Sequence, residues 1–286
     1  MELIRWPLHA GFPSGHRRIM TMLCVLMQPM LFLSIVSAVS AVSAASTPKV
    51  NTPDVITLES LCADIVTEGV NRQRLIDPGS LSSLVRDPAL DQSARLHIED
   101  MIARSYFDHL SPDGLTPHDR ITRFHRGLII EHSGENIWLH RHATRDTPLE
   151  AGRQMMKQWM ASTPHRANIL SPLYTHIGVA VVRYAGDVYA VQHFVGSRGV
   201  LIPEIPETIR RGATLMTSVR THDPDFMHLL RFDLVDPQSL ESACDPTYLR
   251  IGHLNAPAGL FRIRLYFLSP DEKQWDIYLG PLVTVP

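Results

Sequence analysis

Apolar residues in this chain recur at helical spacing up to about residue 175, then switch to strand-like alternation. Leu58, Leu61, Cys62, Ile65, Val66 and Val70 trace one face of a predicted helix over 58–75. A second helix is announced by Asp87 as N-cap and Pro88 at the first helical position, with Leu90, Ala94, Ile98, Met101 and Ile102 as its inward stripe. Thr116-Pro117 opens a short helix carrying Ile121 and Phe124. Residues 126–147 read as mostly irregular, with a short strand around Ile129. Thr147-Pro148-Leu149-Glu150 is a capping box that starts a helix along Ala151, Met155, Trp159 and Met160. Thr163-Pro164 then caps a further turn and places His165 at a helix N-terminus.

After Ile177 the pattern reads as a β-hairpin, 177–182 and 188–195, around Ala185-Gly186-Asp187. Residues 199–286 hold nine of the 21 prolines and further strand patterns. The clearest sets Phe261, Ile263, Leu265 and Phe267 against Arg262, Arg264 and Tyr266; residues 229–235 and 248–251 are weaker examples. Helices followed by antiparallel strands predict an α+β fold, with a small antiparallel β domain of sandwich type at the end.

The first residues change the picture. Arg17 and Arg18 precede an apolar run from Ile19 to about Val39, and small residues follow, with Val42-Ser43-Ala44 fitting a cleavage site. The expected division is a signal peptide at 1–44, a linker at 45–57, a main domain at 58–197 and the β domain at 198–286. The alternative for the run is an uncleaved anchor. The first reading makes the protein secreted, periplasmic or extracellular, with no transmembrane span after cleavage. Export leaves Cys62 and Cys244, which could pair or stay free, although Cys62 lies on an apolar helix face.

The formal net charge of −2 and pI near 6.7 offer no basic footprint for nucleic acid. Histidine is abundant: nine of the 15 lie between His109 and His193. No His-Glu-x-x-His, Gly-x-Ser-x-Gly or phosphate-binding glycine loop is present, so no recognised catalytic motif marks an enzyme.

Candidate chemistry concentrates in three islands: His109-Leu-Ser-Pro-Asp-Gly, Ser133-Gly-Glu135-Asn136-Ile137, and Thr163-Pro-His165-Arg-Ala-Asn168-Ile-Leu. Each joins turn or cap chemistry to one titratable side chain. A helix N-terminus disfavours protonated His165, and a neutral imidazole is what a divalent metal or a proton acceptor requires. A nearby glutamate would orient one ring nitrogen or complete a two-histidine, one-carboxylate set. Plainer readings stand beside these: His109 as a cation ending a helix, Glu135 as an acceptor for loop N–H groups, and the asparagines as ties for irregular backbone.

With Trp159, Ile177-Gly178-Val179-Ala180 and Gln192-His193-Phe194, the islands resemble the CAP superfamily of cysteine-rich secretory, antigen and pathogenesis-related proteins, in its bacterial SCP-like branch. The resemblance covers roughly residues 60–196. It implies an α-β-α sandwich with a cleft where two histidines and acidic residues converge. Carried over, His109, His165 and Glu135 are the metal-binding candidates, for zinc or another divalent cation, and Asn136, Asn168 and Gln192 are ligand-binding candidates. Where relatives carry a second glutamate after the tryptophan, this chain has Ser162, which joins His109, Glu135 and His165 as a catalytic candidate. The leading expectation is a non-enzymatic module binding an extracellular or cell-envelope ligand, such as a lipid. The alternatives are a hydrolase acting on peptide or envelope polymer, and an envelope interaction module working through the β domain.

Overall fold

The structure, a computed structural model, describes residues 6–7, 53–76, 79–142, 146–221, 229–248, 250, 252–268 and 274–286. Of the expected signal segment only Trp6 and Pro7 are among them; most of the linker lies outside, as do Leu249 and Ile251 of the expected strand at 248–251. No helix among the described residues is long and apolar enough to cross a membrane.

The order of elements is β1 (Trp6–Pro7), α1 (Pro53–Ile76), β2 (Val85–Arg86), α2 (Pro88–Ala103), α3 (Pro117–Phe124), β3 (Leu128–His140), α4 (Pro148–Ala161), α5 (Thr163–Ile169), β4 (His176–Tyr184), β5 (Asp187–Ile202), β6 (Ser218–Arg220), β7 (Leu229–Val235), β8 (Thr247–Tyr248), β9 (Gly259–Leu268) and β10 (Gln274–Val285). Local chemistry starts the helices where the sequence says it should. Asp87 accepts from Ala89 N–H, and Thr116 with Asp119 and Thr147 with Glu150 both close reciprocal capping boxes. The cap of α5 differs by one residue. Ser162 holds that position, and Thr163 is already helical.

The first sheet runs β2-β4-β5-β3, with β6 added to the end of β5. Alternate residues of its strands face two helical layers. On one side Trp138, Val179, Val181, Ala190 and Phe194 pack with Cys62 and Val66 of α1 and Met155 and Trp159 of α4. On the other, Ile137, Ala180 and Val191 meet Ala94, Ile98 and Met101 of α2. The result is an α-β-α sandwich. Gly178 sits where α2 touches the sheet: a Cβ there would come within 2.3 Å of Leu90 backbone.

The stretch expected to be irregular is the thirteen-residue strand β3. It was hidden because it is an edge strand with a polar middle and register shifts between Ile129 and His132, which break the alternation. Those shifts also change which residues face where. Leu128 and Ile130 pack with Ile121 of α3, and Ile129 turns into the second unit.

That second unit is one five-stranded sheet, β1-β10-β9-β7-β8, antiparallel throughout. In place of a facing sheet, irregular segments carrying Ile205, Ile209, Leu215 and Leu254 cover its Phe232–Ile263–Leu265–Phe267 face, together with Ile129 and Leu201 from the first unit. The boundary expected at 197/198 therefore falls inside β5, which continues to Ile202. Cys62 and Cys244 are both free thiols. Burial pushes the Cys62 thiol up to about 11.

Candidate functional site

Glu135 lies in the middle of β3, on the Ile137 face and towards α2 and α3. Its carboxylate is buried, and both oxygens accept from protein donors. His109 Nδ1–H donates to Oε1 at 2.7 Å, His193 Nε2–H to Oε2 at 2.8 Å, and the Arg120 guanidinium to Oε2 at 2.9 Å. His97, from the inward stripe of α2, brings Nε2 to 3.6 Å from the same oxygen. Burial would raise the Glu135 carboxyl, but the bonds from His109 and His193 and the Arg120 charge hold it well below the usual carboxylate range.

The histidines around it differ by exposure. The bond to Glu135 raises the His109 pKa against partial burial, and the ring is half exposed. Burial pushes wholly buried His97 down to about 4, despite the neighbouring carboxylate, so it is neutral near pH 7. Because Glu135 accepts a hydrogen bond from Nδ1–H, His109 turns Nε2 away from the carboxylate. Arg120 secures the loop as well, donating to the carbonyls of His109 at 2.7 Å and Leu115 at 2.9 Å.

The next residue serves the opposite layer. Asn136 is buried on the Trp138 face, where its amide donates to Gln192 Oε1 at 2.9 Å and to the His165 carbonyl at 3.2 Å. Asn168 Nδ2 donates to Asn136 Oδ1 at 2.9 Å and to the Glu135 carbonyl at 3.1 Å. Gly134 makes room for this arrangement, since a Cβ there would fall 2.3 Å from the Tyr174 hydroxyl. The short helix α5 is thus tied to the edge of β3, and His165 is held through its backbone. Burial lowers the His165 pKa, and the charge of His109 adds to that effect. Ser162 stands at the α4–α5 junction, where its side chain makes no capping bond.

Of the sequence candidates, His109 meets Glu135 directly. Asn136, Asn168, Gln192 and the His165 backbone form one hydrogen-bonded set behind it. Arg120, His97 and His193 are also part of the site and were not among the candidates. The available signals were a histidine inside the apolar stripe of α2 and an arginine beside Ile121 on α3.

A family description supplies the frame for these residues. The cysteine-rich secretory protein family, CAP, matches residues 70–195. Residues 70–195 are a CAP domain. The chain is 38% identical over 131 residues to the uncharacterized protein YkwD of Bacillus subtilis, covering 46% of this chain and 46% of that protein. It therefore spans about half the length of this relative. An extracellular SCP-domain protein from Bacillus anthracis is similar at 28% identity with a TM-score of 0.41, over 51% of this chain and 44% of that one. A structure described as NaASP2 with Zn2+ is similar at 11% identity and a TM-score of 0.31, over 52% of this chain and 82% of that one.

The donor set of this CAP domain can be weighed against a resident metal. No group of three or more His, Cys, Asp or Glu side chains among the described residues is arranged to hold a metal ion. Both Glu135 oxygens are occupied by protein donors, which leaves two imidazoles, fewer than the three protein ligands of a catalytic zinc site. As a carboxylate held far below neutrality, Glu135 is also poorly matched to general-base work. Its chemistry here is to orient His109.

Proposed function

We propose that the CAP domain is a binding module, not an enzyme. In this reading His109 and His165 present imidazole nitrogens to a polar group of an extracellular or cell-envelope ligand, and the Asn136–Asn168–Gln192 set keeps the second wall in register. One observation carries it: both Glu135 oxygens are committed to protein donors, His109, Arg120 and His193, so the carboxylate orients the site in place of acting as a base. A divalent cation is one such polar group, held loosely by two neutral imidazoles with water in the remaining positions. Secretion accords with the charged, apolar and small-residue order of the first 44 residues.

The experiment is calorimetry of the full chain with zinc chloride at pH 5.5 and 7.5. Since only neutral imidazoles bind a cation, affinity should drop by roughly tenfold or more at the lower pH. It should vanish in His109→Ala and in His165→Ala. Equal affinity at both pH values, or no binding at either, overturns the cation form of the reading. Turnover of a peptide or envelope polymer that His109→Ala abolishes overturns the binding-module reading itself.

A further inference from the structure

The second sheet grips the helix that holds the cleft together. The β9–β10 ladder is interrupted between Leu279 and Leu282, and Gly280 and Pro281 lie in the interruption. Backbone carbonyls there are free to turn toward α3. His118 Nε2–H donates to the Leu279 carbonyl at 3.0 Å, and Arg126 donates to the Leu282 carbonyl at 2.9 Å. Arg262 of β9 donates to the Gly280 carbonyl at 3.2 Å, which fixes its guanidinium in the second unit.

Its other arm reaches Asp119 Oδ1. Asp119 Oδ2 accepts the Thr116 N–H at 2.9 Å and the Thr116 hydroxyl at 2.7 Å, so the residue gripped by Arg262 is the one that closes the cap of α3. Asp119 and Arg262 side chains are 5% and 7% exposed, and breaking such a pair leaves an uncompensated buried charge. The next residue of α3 is Arg120, which holds the Glu135 carboxylate and the carbonyls of His109 and Leu115. Neighbouring positions on one eight-residue helix thus point into the second sheet and into the cleft.

We propose that Arg262 is a positioning residue for the cleft: through Asp119 it fixes the start of α3, and through Arg120 that helix fixes the His109 loop and Glu135. The C-terminal sheet is then part of the frame of the site. This proposal concerns the geometry of the cleft and is independent of what the cleft binds.

Hydrogen–deuterium exchange on the full chain tests it. The amides of Leu110, Ser111, Gly114 and Leu115 bond within their own loop, yet Arg262→Gln should speed exchange over residues 108–115 by roughly tenfold, a local opening. In an Arg120→Ala background the same substitution should add nothing, because the connection is already cut. Phe267→Leu, which loosens the core of the second sheet without touching α3, is the comparison and should leave the loop protected. The proposal is overturned if Arg262→Gln leaves 108–115 unchanged. It is equally overturned if Phe267→Leu has the same effect, or if the effect persists in full without Arg120. Should Arg262→Gln not fold, Arg262→Lys, which keeps the charge and loses the two-armed geometry, is read by the same criteria.

Discussion

Glu135 and Asn136 share one peptide bond on β3 and point to opposite faces of the sheet, so a single peptide unit ties down segments on both sides. Glu135 takes His109 from the loop after α2, while Asn136 takes the backbone of His165 on α5. β3 is the edge strand of its sheet, paired with β5 on one side.

Replacing Glu135 by Gln keeps the shape and removes the charge that three donors share. Arg120 is then left buried without its anion, at an expected cost of about 2–4 kcal/mol. Urea denaturation measures that loss, and NMR titration should show the His109 midpoint falling back toward its ordinary value. Unchanged stability would mean that the carboxylate contributes nothing net.

Acid should weaken the fold before Glu135 is protonated. Burial holds His97 and His118 at about 4, below the ordinary 6.5, with the Arg262 charge adding to the effect at His118. Between those values the unfolded chain takes up protons that the folded chain refuses, so their contribution is present at neutral pH and lost as pH falls from 6.5 toward 4. Glu135 is depressed, so its contribution persists through this window and is lost only at lower pH. His109 runs the other way. Its raised pKa stabilises below 6.5 and fades as pH rises through the folded value, but half exposure screens it. Stability should therefore decline on acidification by up to about 1.4 kcal/mol per pH unit for each proton involved. Urea midpoints at pH 7 and 4.5 check the slope, and His118→Asn should flatten it.

Gly178→Ala tests why glycine stands in the Ile-Gly-Val-Ala run. The added methyl would meet Leu90 and Asp91 backbone at 2.3 and 2.5 Å, and backbone cannot swing aside as a side chain can. Displacing α2 would also strain the bond from Val179 N–H to Asp91, now 2.7 Å. A loss of about 3 kcal/mol or more is expected in chemical denaturation, at the upper end for overpacking.

What the sequence made legible follows from local chemistry. Asp87, Thr116 and Thr147 announce their helices because a cap is decided within four residues. The hairpin at 184–187 is equally local, with Ala185 and Gly186 at φ of 50° and 89°. β3 was illegible because its buried positions 135 and 136 are polar, and they are satisfied by partners as far as 58 residues away. Arg120 escaped notice for a related reason. An arginine on a short helix reads as surface until the fold shows which carbonyls and carboxylate surround it.

β5 has a practical consequence for anyone working with the chain in parts. The family likeness ends at residue 195, but the strand runs on to Ile202, pairing Ser197, Gly199 and Val200 with β3 before Leu201 enters the second core. A cut at the edge of the recognisable domain would sever a ladder in mid-run and turn Ile129 out toward water. The two units are joined like a plank nailed across two floors, and they should melt in a single transition.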